Sequence, residues 1–101
     1  VTHRVVFAPE AEDDLINLYD FIADDAGPQT AYGYTERIRA FCAGFSTFPE
    51  RGTRRDDLRS GLRITGFERR VTIAFHVTEE LVVIDRILYG GRNAEALLRD
   101  D

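Results

Sequence analysis

The chain has 101 residues, 44% of them hydrophobic and 31% charged, with a net charge of −5 and one cysteine. That balance predicts one globular domain over residues 1–101 and excludes a disordered tail, a collagen-like fibre and a disulfide scaffold. No apolar run approaches the roughly 18–20 residues that cross a bilayer, and the acidic total argues against a general nucleic-acid binder.

In chain order, Val5-Val6-Phe7 is short and β-branched and stops before Pro9, which predicts a strand. Pro9 suits the first turn of a helix, where Glu10, Glu12, Asp13 and Asp14 crowd the positive end of the dipole. Leu15, Leu18, Tyr19 and Ile22 then form an amphipathic stripe, until Gly27 stops the helix and Pro28 starts another. The second helix is expected from Pro28 to Phe48, with Ala31, Tyr34, Thr35, Ile38, Phe41, Cys42 and Phe45 at helical spacing. So short a break between the two predicts an antiparallel helical hairpin. Pro49 and Gly52 close it with a turn.

Three strands are expected next. Leu62 to Thr65 alternates apolar and polar residues. Val71, Ile73, Phe75 and Val77 alternate with Thr72, Ala74 and His76, and Leu81 to Tyr89 is long and rich in Val and Ile. Gly90-Gly91 ends it, and Asn93 is placed to cap a short last helix from Ala94 to Arg99. The order β-α-α-β-β-β with a short C-terminal helix predicts an α+β fold, a helical hairpin on one face of a mostly antiparallel sheet. Leu15, Leu18, Ile22, Ile38, Phe41, Phe45, Ile64, Ile73 and Phe75 are expected in one core. With no long apolar leader at its N-terminus and a lone Cys42, the chain is expected in the cytoplasm.

Charge is unevenly spread. Residues 1–30 hold seven acids against one arginine, and residues 31–60 four acids against six arginines. Every cation is an arginine, a planar and permanently charged donor that cannot serve as a lysine base. Arg51, Arg54, Arg55 and Arg59 fall within nine residues, a contact surface for nucleic acid or an acidic protein, although Asp56 and Asp57 interrupt them. Arg63, Arg70 and Arg86 lie on expected strands, Arg69 just before one, and Arg92 past the last. Arg86, inside an apolar strand, needs a carboxylate (Asp85 or an acid of the first helix) or else lines a groove. His76 is a candidate general base on the strand face opposite Ile73 and Phe75. His3, His76 and Cys42 have no zinc-site spacing and no glycine-rich phosphate loop occurs, so neither metal nor cofactor is expected.

Four segments, "PEAEDDLINLYDFIAD", "FPERG", "LRSGLRITGFERRVTIAFHV" and "VIDRILYGGRN", together resemble the ParE branch of the RelE/ParE toxin superfamily. The resemblance implies a bacterial toxin of a type II toxin–antitoxin pair, held inactive by a ParD-like ribbon-helix-helix antitoxin, with operator DNA met only through that antitoxin. It also implies DNA gyrase as target, or, in RelE-type relatives, cleavage of mRNA on the ribosome. RelE-like toxins use Lys, Arg and a C-terminal Tyr for that cleavage. Here there is no Lys and no Tyr beyond Tyr89, leaving His76 and Tyr89 as acid–base candidates, so binding is favoured over catalysis and no catalytic residue is assigned. Target contacts are expected from Arg86, Tyr89 and Arg92, where Arg and Tyr interleave, and from Arg59 and Arg63. The antitoxin segment, an amphipathic helix or strand, is expected on Tyr19, Phe21, Tyr32 and Tyr34, aromatics too numerous to face inward together.

Overall fold

The computed structural model describes residues 2–90 and 94–99. Strand β1 (Arg4–Phe7) leads into helix α1 (Pro9–Ala26) and helix α2 (Pro28–Ala43), followed by a 3₁₀ turn over Gly44–Ser46. Strands β2 (Thr53–Arg54), β3 (Arg63–Phe67), β4 (Val71–Val77) and β5 (Leu81–Tyr89) come next, then helix α3 (Ala94–Leu98). The expected order therefore holds with one addition, the two-residue strand β2, too short for any periodicity to register. Helix α2 ends five residues before the expected Phe48. Gly44, Ser46 and Thr47 are weak helix formers, and the tighter 3₁₀ turn accompanies a fully buried Phe45 whose ring lies 4.7 Å from that of Phe75. Asn93, the expected cap of the last helix, lies outside the described residues.

The sheet runs β1-β5-β4-β3-β2, with β1 parallel to β5 and every other pair antiparallel. The hairpin α1–α2 covers one face. There Leu15, Leu18, Ile38, Phe45, Ile73, Phe75, Val82 and Ile84 are buried together, with Ile22 and Phe41 packed half-buried against them. Strand alternation turns Ala74 and Leu88 to the other face, where they form a second cluster with Leu58, Leu62 and Leu98. Ile64, expected in the first core, sits opposite Ala74 and packs on this second cluster instead. The sheet is thus apolar on both sides, with the loop from 55 to 62 and α3 covering the side the hairpin leaves open.

A register shift between Ala74 and Phe75 makes Asp85 an extra residue on β5. That bulge changes which residues of β5 face the hairpin. Val82 and Ile84 do so before it, Ile87 and Tyr89 after it.

Candidate partner-binding groove

Asp14 falls on the same stripe of α1 as Ala11, Leu15 and Leu18, and is buried with them. It is the helix acid that answers Arg86. Its carboxylate accepts from Arg86 Nε at 2.8 Å and Nη2 at 3.0 Å, and from the Ile87 N–H at 2.9 Å. This pairing raises the pKa of Arg86 further and keeps both charges where an isolated ion would be costly. Asp85, the other candidate, bonds His76 Nδ1 instead, at 2.7 Å.

Strand β1 ends at Phe7 opposite Ile84, so β5 continues beyond its neighbour along an open edge. Beside that edge lies a groove of about 370 Å³, walled by Asn17, Leu18 and Phe21 of α1 and floored by Ile87, Tyr89 and Gly90. Asp14 closes it, and because its carboxylate already holds the Ile87 amide, that stretch of edge is capped against a further strand. Phe21 is 62% exposed, with its ring 5.9 Å from that of Tyr89. Tyr89 in turn meets Tyr34 edge-on at 6.2 Å, and Tyr34 meets Phe67 at 6.1 Å. The buried Tyr34 hydroxyl has no hydrogen-bond partner among the described residues; burial, then the charge of Glu68, raises its pKa.

The four aromatics expected to hold an antitoxin therefore divide. Phe21 lines this groove with Tyr89, a residue expected at the target surface. Tyr19 and Tyr32 line a second groove, of about 240 Å³, on the outer face of the hairpin beside Ile16. Tyr34 turns toward the core.

Two of the four arginines of the arginine-rich loop are neutralised. Arg54 binds Asp56 at 3.1 Å, while Arg55 binds Asp57 and Glu95, each at 2.9 Å. The Gly61 amide and Arg54 hold the Asp56 carboxyl below its usual range, and Arg55 does the same for Asp57. Arg63 donates to the Arg51 and Glu50 carbonyls at 2.9 and 2.6 Å, clasping the turn after α2. Arg59 has no carboxylate partner among the described residues. Arg92 lies outside them.

Two features escaped the sequence reading. Arg37 forks onto Glu68 with two 3.0 Å bonds, and the Phe67–Arg70 turn holds Glu68 and Arg69 at φ 50° and 63° without a glycine. No local pattern announces either, since left-handed turns are ordinarily marked by Asn or Gly. His76 and Tyr89, the two acid–base candidates, do not meet. Tyr89 packs on the hairpin side, whereas His76 shares the β4 face of Ala74 on the other. Among the described residues no cluster of three His, Cys, Asp or Glu side chains is placed to hold a metal ion, and no helix is long and apolar enough to cross a membrane.

Residues 5–94 match the family described as the ParE toxin of the type II toxin–antitoxin system parDE. Toxin ParE3 of Caulobacter vibrioides is 33% identical over 95 residues, 94% of each chain. Among solved structures, a chain of the chromosomal ParDE system of P. aeruginosa superposes with a TM-score of 0.78 at 22% identity, covering 88% of this chain and 97% of that one. A chain of the RelBE2 toxin–antitoxin complex of Mycobacterium tuberculosis gives 0.58 at 21% identity, covering 88% and 99%. At these identities both show the likeness of fold.

Proposed function

The chain belongs to the ParE toxin family of type II toxin–antitoxin systems, and on that premise we propose that it inhibits DNA gyrase by binding and is neutralised by a ParD-like ribbon-helix-helix antitoxin. The observation that carries this reading is the apolar groove lined by Leu18, Phe21, Ile87 and Tyr89. It is open, mostly apolar and about 370 Å³ in volume, which suits side chains from one face of an amphipathic segment. Tyr89 and Gly90 form its floor and also begin the strand exit expected to touch the target. An antitoxin segment seated there covers the target-binding surface, so neutralisation follows from overlap. Operator DNA is met through the antitoxin alone, and the pair acts in the cytoplasm.

The residues we assign to target contact are Tyr89, Arg59, Arg63 and Arg92. Arg86 is committed to Asp14, so it supports Tyr89 by fixing the end of β5 past its bulge. Ribosome-dependent mRNA cleavage is the competing reading. It requires a base and an acid on opposite sides of one phosphate. What weighs against it here is the separation of His76 and Tyr89 on opposite faces of the sheet, with arginine, a poor base, as the cation nearby.

The test is to purify the toxin and assay gyrase supercoiling and ribosomal mRNA cleavage in parallel. Inhibited supercoiling with intact mRNA is expected, weakened by Tyr89→Ala and unchanged by His76→Ala. Codon-specific cutting that disappears with His76→Ala or Tyr89→Phe would establish the nuclease instead.

A further inference from the structure

Resting on the docking role of the Phe21–Tyr89 groove, we infer that the segment seated there is bipartite, with apolar anchors adjoining carboxylates that land on Arg69 and Arg70. Gly90 lines both the apolar groove and an adjoining polar one of about 520 Å³, whose other walls are Glu68, Arg69 and Arg70. The two recesses therefore adjoin at Gly90. A Cβ at Gly90 would meet nothing within 4 Å, so the junction is open. They are also rigidly joined, because the Gly90 amide donates to the Arg70 carbonyl at 2.8 Å.

Arg69 and Arg70 are exposed and have no carboxylate partner among the described residues, unlike Arg54 and Arg55 with their aspartates. The carboxylate adjacent in sequence, Glu68, is drawn to Arg37 through both its oxygens. That clamp leaves the two arginines displayed side by side. The turn adopts left-handed backbone at Glu68 and Arg69, a conformation that side-chain-bearing residues enter at a cost and that a glycine would accept freely. Such strain is kept where the placement of a side chain matters. The whole chain carries −5, which opposes a phosphate backbone but not a few carboxylates brought in by apolar anchoring. The segment that fits is therefore a piece of protein with apolar anchors beside a short acidic stretch.

The probe is the antitoxin expressed from the reading frame beside this chain's gene, with binding measured at low and high salt. The variant R69G/R70Q removes both charges while glycine relaxes the left-handed position, so the fold is retained, as thermal unfolding will verify. At about 50 mM NaCl we expect the variant to bind roughly ten- to hundredfold more weakly, and the gap to close by about 500 mM. Phe21→Ala should weaken binding equally at both. Reversal to R69E/R70E should be rescued by turning the antitoxin's acidic residues to arginine. No complex with the unaltered toxin would overturn the docking reading itself. A complex sensitive to Phe21→Ala but indifferent to R69G/R70Q would overturn the bipartite inference alone. So would loss of binding to a short DNA duplex, with antitoxin affinity unchanged, which would assign the turn to nucleic acid.

Discussion

Asp14 and Arg86 lie 72 residues apart and meet in a two-pronged ion pair at 2.8 and 3.0 Å, the carboxylate also taking the Ile87 amide. One side chain of α1 thereby fixes the end of β5 just past its bulge, where Ile87 and Tyr89 turn toward the groove. Removing either partner strands the other. Asp14→Ala leaves a partly buried guanidinium and an unbonded amide, and should cost about 2–4 kcal/mol, somewhat below a fully buried pair because Arg86 keeps some solvent. Asp14→Asn retains an acceptor for Ile87 and should cost less. Urea unfolding of both variants checks the order, and equal losses would mean that the ion pair, not the amide bond, dominates.

The two faces of the sheet should respond alike to truncation. Ile73 on the hairpin side and Leu62 on the other are both fully buried. Ile73→Ala and Leu62→Ala are each expected to cost about 2–5 kcal/mol in chemical denaturation. A Leu62→Ala variant as stable as the parent would mean that the second cluster is a loose cover.

Gly52 follows the turn after α2 at φ 75°, and a Cβ there would run into the Ile64 carbonyl. Gly52→Ala combines a left-handed penalty with a clash against backbone, so a loss of about 2–4 kcal/mol is expected. Gly33, inside α2 with open space around its missing Cβ, is the matched control. Gly33→Ala should gain about 0.5–1 kcal/mol from helix propensity. Shifts in denaturation midpoint of opposite sign would bear out the pair.

Alkaline pH should destabilise the fold through Cys42. Its thiol is fully buried, and desolvation pushes its pKa up to about 12 from an ordinary 9.0. The folded state thus holds the proton more tightly than the unfolded one. That stabilisation is complete below pH 9.0 and is lost as pH climbs toward about 12. Tyr34, whose pKa is also raised by burial, acts in the same direction. Unfolding midpoints should fall across this range, less steeply in Cys42→Ala, and the native thiol should resist alkylation at neutral pH until denaturant is added. A flat alkaline limb, or ready labelling of the native chain, would contradict this.

Hydrophobic spacing alone was enough to place α1, the hairpin, β4 and β5, because each buries one face and the period of its apolar residues names that face. Ile64 shows the limit. Its alternation marked it as buried without saying which side of the sheet would bury it. Arg86 shows another: its apolar surroundings demanded a carboxylate, yet Asp85 stood next to it and Asp14 far away in sequence.

The amino-acid sequence by itself determined the element order, the α+β class, the helix-facing core and the need for a partner at Arg86, all consequences of local pattern and elementary charge physics. Only the tertiary structure decided that β1 lies parallel beside β5, that a bulge at Asp85 rotates Tyr89 to the groove, and that Phe21 and Tyr89 pack ring against ring while Tyr34 turns inward. It also decided which arginines are neutralised and which, at the Arg69–Arg70 turn, stand free of carboxylates among the described residues. These depend on which distant elements come to face one another, and a side chain's periodicity carries no record of the neighbour it will meet.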